Sequence, residues 1–295
     1  MATMMTTTTS TRVPHLIFIA RSPALVDAWR RAVGRYFPPL QREQQQQQQQ
    51  QEQPEQEQEP EQEQGRVEDA GRELFSVRAG RLEDLPAGEI AHECVVSPAN
   101  AFGIMDGGFD LALSQAFRGP SADMYALTDH VQRHLRARWA GYAPPGSCTL
   151  VPLPEAVAGP ENRWGTRVLA VVPTMKRPEE VGWNRELVYN AMWALLCEVG
   201  RWNAEVEAEA GAEAVVNATG TEGAGTRSGK RTRISRILTT GLGAGAGGVS
   251  AERCAAQMVL AVKHYAEAGA LPARLRWESE EVERRVREVE ETVVL

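Results

Sequence analysis

The chain has 295 residues, 42% of them apolar, and a formal net charge of −7. This length permits one domain of about 200 residues with appendages, and the apolar share sits slightly below that of fully packed chains. Seven glutamates between positions 43 and 64, with no basic residue among them, account for the whole net charge, so the remainder offers neither a basic field for nucleic acid nor an acidic one for a cationic partner.

Four widely spaced cysteines (Cys94, Cys148, Cys197, Cys254) form no Cys-x-x-Cys pair and read as reduced core thiols. No apolar run approaches the roughly 18 residues that a membrane span needs. The Thr-rich start, Met1 to Arg12, lacks the layout of a secretory signal. The expected location is therefore cytoplasmic or nuclear.

In chain order, His15–Ala20 is a short buried strand, and Ser22-Pro23 opens a helix through Trp29 and Val33, with Pro at the first helical position. Gln41 to Gln64 holds eight consecutive glutamines and a Glu-Gln-Pro repeat, which bury nothing and predict a disordered insertion. An alternating strand, 73–78, leads through Gly80 and Leu85 to the apolar strand Cys94–Val96. Helices over 109–118 and 122–139 follow, then strands over 148–153 and 168–172, and a long helix from about 184 to 202. Residues 204–232 are rich in Glu, Ala, Gly and Thr and read as a second flexible insertion. The last strand is 234–239, and Ser250 caps a core helix over 251–268. A charged helix ends the chain, with Val282, Val286, Val289 and Val293 at 4-3-4 spacing, a seam for docking on the domain or on another chain.

Strands alternating with helices predict an α/β fold, a three-layer α/β/α sandwich. The organisation read from the sequence is an N-terminal strand and helix (1–40) joining the core, a Gln/Glu-rich insertion (41–66), the main domain (67–270, interrupted at 204–232), and a charged C-terminal helix (271–295).

Residues 94–117 carry the densest signal. A buried strand stops at Asn100, passes Gly103, Gly107 and Gly108, and opens at Asp110 into a helix. Glycine lets a ligand approach the main chain, and the first turn of a helix offers unpaired N–H groups to an anion. A second glycine loop, 241–248, follows the strand ending Thr239-Thr240 and feeds the 251–268 helix. Two such loops at the carboxyl ends of neighbouring strands suit a diphosphate.

These residues resemble the macro domain, an ADP-ribose-binding module, over roughly residues 70 to 270. Asn100 stands at the second Asn of that family's Asn-Ala-Ala-Asn, Gly107 and Gly108 at its glycine pair, and Asp110 at its Asp. Ile237 to Gly245 looks like its closing strand and second loop. The resemblance implies a mixed central sheet and ADP-ribose or a related nucleotide-diphosphate ligand, free or on an ADP-ribosylated protein. It also implies binding through Asn100, Gly107, Gly108, Thr240, Gly241, Gly243 and Gly245, and hydrolysis with Asp110 as the catalytic carboxylate. The match departs at Ser97 (Asn in the family), at Arg81 (the adenine-contacting Asp) and in the second loop, whose aromatic residue is absent. Trp183 is a candidate aromatic wall for a base.

No cofactor or metal site is expected. His130 and His134 share a helix face without a third ligand, and no Gly-x-Ser-x-Gly elbow or early Gly-x-Gly-x-x-Gly is present. These residues leave turnover and oligomeric state open. A ligand-free, macro-like scaffold protein is the alternative reading.

Overall fold

The computed structural model describes residues 13–38, 74–86, 88, 90–119, 123–158, 162–219 and 231–295. The glutamine tract at 41–66 lies outside them. A six-stranded sheet comprises β1 (His15–Ala20), β2 (Phe75–Ala79), β3 (Cys94–Ser97), β4 (Thr149–Pro152), β5 (Val168–Val171) and β6 (Arg236–Thr239), in the order β2-β1-β6-β3-β5-β4. All pairings are parallel except β4 with β5, so the sheet is mixed through one edge strand.

Parallel strands covered on both faces need continuous apolar sequence, and β1 supplies it. Leu16, Phe18 and Ala20 enter one layer; Ile17 and Ile19 enter the other. The first layer is α1 (Pro23–Tyr36), α5 (Leu187–Thr219) and α6 (Ala251–Glu267). The second is α2 (Gly108–Ala116) and α3 (Ala126–Trp139), with a 3-10 turn at Leu82–Asp84. Burying each large apolar side chain stabilises by about 1.5–3 kcal/mol. Phe18, stacked on Trp29 at 5.0 Å and against Phe75 at 5.6 Å, ties α1 to the sheet. A short helix, α4 (Glu155–Ala158), follows β4. The three-layer α/β arrangement expected from the sequence is present.

Several boundaries differ from the sequence reading. The helix after the first loop begins at Gly108 with Gly107 as its N-cap, one residue earlier than expected, and Asp110 lies in its first turn. Helix α5 does not stop near 202: residues 204–219, read from composition as part of a flexible insertion, continue it to Thr219. Two causes act together. Ala and Glu have high helix propensity, and the returning chain pairs Arg231 with Glu205 and Arg233 with Glu207.

The C-terminal helix α7 (Glu280–Val293) docks on the domain. Its polar side carries the contacts: Glu288 takes hydrogen bonds from Lys263 and His264 at 2.6 Å, Glu291 pairs with Arg35 at 3.0 Å, and buried Thr292 meets Gln257 at 3.0 Å. Within the valine stripe, Val286 stays 49% exposed. Among the described residues no helix is long and apolar enough to cross a membrane. The four cysteines are unpaired thiols, three of them buried.

Candidate functional site

Strands β1, β2, β3, β5 and β6 point the same way, so the connections after them leave the sheet at one edge. They enclose a cleft of about 620 Å³, where open α/β sheets generally take ligands. The eight residues read from the sequence as binding or catalytic all line it: Asn100, Gly107, Gly108, Asp110, Thr240, Gly241, Gly243 and Gly245. The two glycine loops thus share one cavity.

The first loop is built from its own side chains. Asn100 Oδ1 accepts from the N–H groups of Phe102 (3.1 Å) and Ile104 (3.2 Å), and its Nδ2 donates to the Ile104 carbonyl at 2.6 Å. The amide therefore shapes the loop and keeps one N–H in reserve. Met105 N–H donates to Thr128 Oγ1 (3.2 Å), and Ser114 Oγ donates to the Met105 carbonyl (2.7 Å), anchoring the loop to α3 and α2. Gly103 has a positive φ of 65°, and a Cβ there would lie 2.7 Å from Val131 Cγ1, so only glycine fits. Gly107 and Gly108 would carry a Cβ into open space. The N–H groups of the first turn of α2 open on the cleft without an intrahelical partner.

Asp110 is buried, and Ser97 Oγ donates to its Oδ1 at 2.7 Å. Burial disfavours the charged form and pushes its carboxyl up to about 7, against the Ser97 hydrogen bond, which favours the anion, and with the nearby Asp106 charge, which opposes it. A carboxyl divided between its two forms near neutral pH can both give and take a proton. Ser97, visible in the sequence only as a departure from the macro pattern, positions this group.

The second loop is held by main-chain hydrogen bonds: Ala244 N–H to Gly241 O (3.4 Å), Gly248 to Gly245 (3.1 Å), Val249 to Gly243 (3.1 Å) and Val181 to Gly247 (2.9 Å). A Cβ on Gly241 would lie 2.6 Å from Leu25 Cδ2, and one on Gly247 would lie 2.5 Å from the Gly243 carbonyl oxygen. Gly245, by contrast, faces open space.

Four cleft features were not assigned to the site from sequence. Arg21 and Ser22, at the end of β1, line it, and Ser22 N-caps α1 without using its side chain. The same strand-to-helix pattern that marked the first loop is legible there. Thr174, 1% exposed, lines the cleft with its hydroxyl unpartnered among the described residues. Arg81, read as an obstacle to adenine recognition, lines the cleft beside Glu83 at 3.4 Å. Trp183 is 73% exposed and absent from the cleft wall, so it is not the aromatic wall; Phe109 is the aromatic side chain that lines the cleft, with Ile19, Leu25, Ile104 and Met175 among its aliphatic and thioether neighbours. The His130 and His134 rings lie 4.7 Å apart with their planes tilted by 59°, and among the described residues no group of three metal-ligating side chains converges.

No family profile matches this sequence, and no curated protein matches it.

Proposed function

We propose that the cleft binds ADP-ribose or a related nucleotide-diphosphate sugar. The observation that carries this reading is the meeting of two glycine loops and the N-terminus of α2 in one cavity of about 620 Å³, a size suited to a small organic ligand. A diphosphate needs many short-range donors and no bulky side chain in the way. The main chain at Gly107, Gly108 and Gly245 meets both needs, because nothing stands where a side chain would project. The residue-by-residue likeness to the macro domain at Asn100, Gly107, Gly108 and Asp110 supports the same ligand class.

Asp110 gives this reading its chemistry. Placed beside the terminal ribose, a carboxyl near pH 7 would take a proton from water or return one to the leaving oxygen. Hydrolytic release of ADP-ribose from protein, or from an ADP-ribose derivative, is the reaction that this geometry would serve. One observation favours the alternative of a ligand-free, macro-like scaffold: Asn100 spends most of its hydrogen-bonding capacity on its own loop.

Calorimetric titration with ADP-ribose, AMP and NAD tests the binding reading. Saturable heat with ADP-ribose, lost in Gly107→Val and Gly245→Val, is the expected result. Those two positions are cleaner than Gly108 or Gly243, whose positive φ values of 56° and 68° would add backbone strain. Absence of heat with all three ligands would sink the reading. For catalysis, release of ADP-ribose from a modified protein is compared between wild type and Asp110→Ala. Turnover that survives the substitution removes Asp110 from any catalytic role.

A further inference from the structure

The cleft is electrically two-ended, and the strand order explains how. Crossing the sheet from β2 through β1, β6 and β3 to β5, the loops present Arg81, then Arg21 and Ser22, then Thr240 to Ala246, then Asp106 to Asp110, then Thr174. At roughly 4.8 Å per strand, those five strands span about 19 Å. Both cationic groups lining the cleft stand at one end, and two of its three carboxylates, Asp106 and Asp110, at the other.

The cationic end is compact. Ala20 pairs with Ala79 in the sheet, and the Gly80 N–H donates to the Ala20 carbonyl at 3.0 Å, so Arg21 lies beside Gly80 and next to Arg81. Arg21 is exposed and makes no ion pair among the described residues. Among the described residues the Arg81 side chain has only the long contact to Glu83, at 3.4 Å with both side chains more than half exposed, which holds it weakly. Ser22, whose hydroxyl makes no capping hydrogen bond to α1, completes the group.

From this arrangement we infer that the β1/β2 end is a second anion subsite, and that the preferred ligand carries a phosphate on its adenosine ribose besides the diphosphate. The inference rests on the proposed function. If the terminal ribose lies at Asp110 and the diphosphate between the glycine loops, the adenosine half extends over β6 and β1 toward Arg21 and Arg81. Guanidinium groups recognise phosphate oxygens through paired N–H donors at fixed geometry. The same phosphate on the opposite ribose would face Asp106 and Asp110 and be repelled. Arg81 then serves the ligand in place of an adenine-binding carboxylate.

The test is calorimetric titration of the full chain with ADP-ribose and with ADP-ribose 2′-phosphate, at about 0.15 M salt so that unspecific attraction is screened. The phosphorylated ligand is expected to bind at least tenfold more tightly. In Arg21→Ala/Arg81→Ala the ratio of the two affinities is expected to collapse toward one, and lysine at both positions to restore part of it. Equal affinities in the wild type would overturn this inference and leave the proposed function standing. Failure of the wild type to bind either ligand would overturn the proposed function itself. A preference that persists in the double variant would remove the two arginines from the subsite.

Discussion

In the first glycine loop Asn100 bridges to two N–H groups and one carbonyl of its own loop, and the loop ends in the buried, titratable Asp110. The second loop, Gly241 to Gly248, contains no polar side chain at all; it is held by main-chain hydrogen bonds and by the lack of room for a Cβ at Gly241 and Gly247. The two loops reach a similar surface, a glycine-lined wall rich in main-chain donors, by different routes. One depends on polar side chains and therefore on pH and on single hydrogen bonds. The other depends on sterics and therefore on residue volume. A shared reliance on glycine conceals this division of roles: Gly107 and Gly245 face open space, whereas Gly103, Gly241 and Gly247 are fixed by packing.

The largest expected effect separates the loops by pH. The Asp110 carboxyl is raised to about 7 in the folded protein from an ordinary value of 3.8, so between those values the native state binds more protons than the unfolded one. Stability is then fully present below about pH 4 and falls as pH rises through 7, by on the order of 4 kcal/mol for a shift of this size. Denaturant unfolding of wild type and Asp110→Asn from pH 5 to 8 should show the wild type losing stability relative to the variant. A constant difference across that interval would mean that burial does not raise the Asp110 carboxyl.

Volume is the corresponding lever on the second loop. Gly247→Ala must displace the Gly243 carbonyl, and Gly241→Ala must displace Leu25 and Ala244. Each is expected to cost about 1–3 kcal/mol, read as a lower denaturant midpoint. Gly245→Ala and Gly107→Ala meet nothing and have no positive φ, so they should be neutral or stabilising by about 0.4–1 kcal/mol through the unfolded chain. If all four behave alike, the steric account of the second loop is wrong.

A smaller effect belongs to Asn100. Replacing it with alanine strands two N–H groups and a carbonyl in a partly solvated loop, a loss of about 1–2 kcal/mol. Hydrogen exchange at Phe102 and Ile104 should quicken, with no change at Ala244 to Val249. Smallest of all, removing residues 43–64 should shift stability by no more than about 1 kcal/mol, because loop-closure entropy varies slowly with length. That deletion removes no residue of either loop and serves as the control; a large drop in melting temperature would show that the tract has a structural role.

Much of this architecture was legible in the chain itself. Continuous apolar runs such as Leu16–Ile19 and Cys94–Val96 announce parallel strands buried on both faces, and the glycine loops that follow strands announce the cleft edge. Ser250 was readable as a cap, and its hydroxyl does accept from Arg253 N–H. The course of residues 204–219 was less legible, because composition alone suggested a flexible segment. Its helix needed the neighbouring α5 turns to nucleate it.

Local sequence thus determined the elements, their order and the two loops, since periodicity and glycine act over a few residues. Only the tertiary structure decided where each polar group turns. It directed the Asn100 amide into its own loop and buried Asp110 against Ser97, thirteen positions away in sequence. By pairing β1 with β2, it also brought Arg21 alongside Arg81 across a gap of sixty residues. Burial, dielectric and charge proximity depend on which strands lie side by side, and that register is a property of the whole sheet.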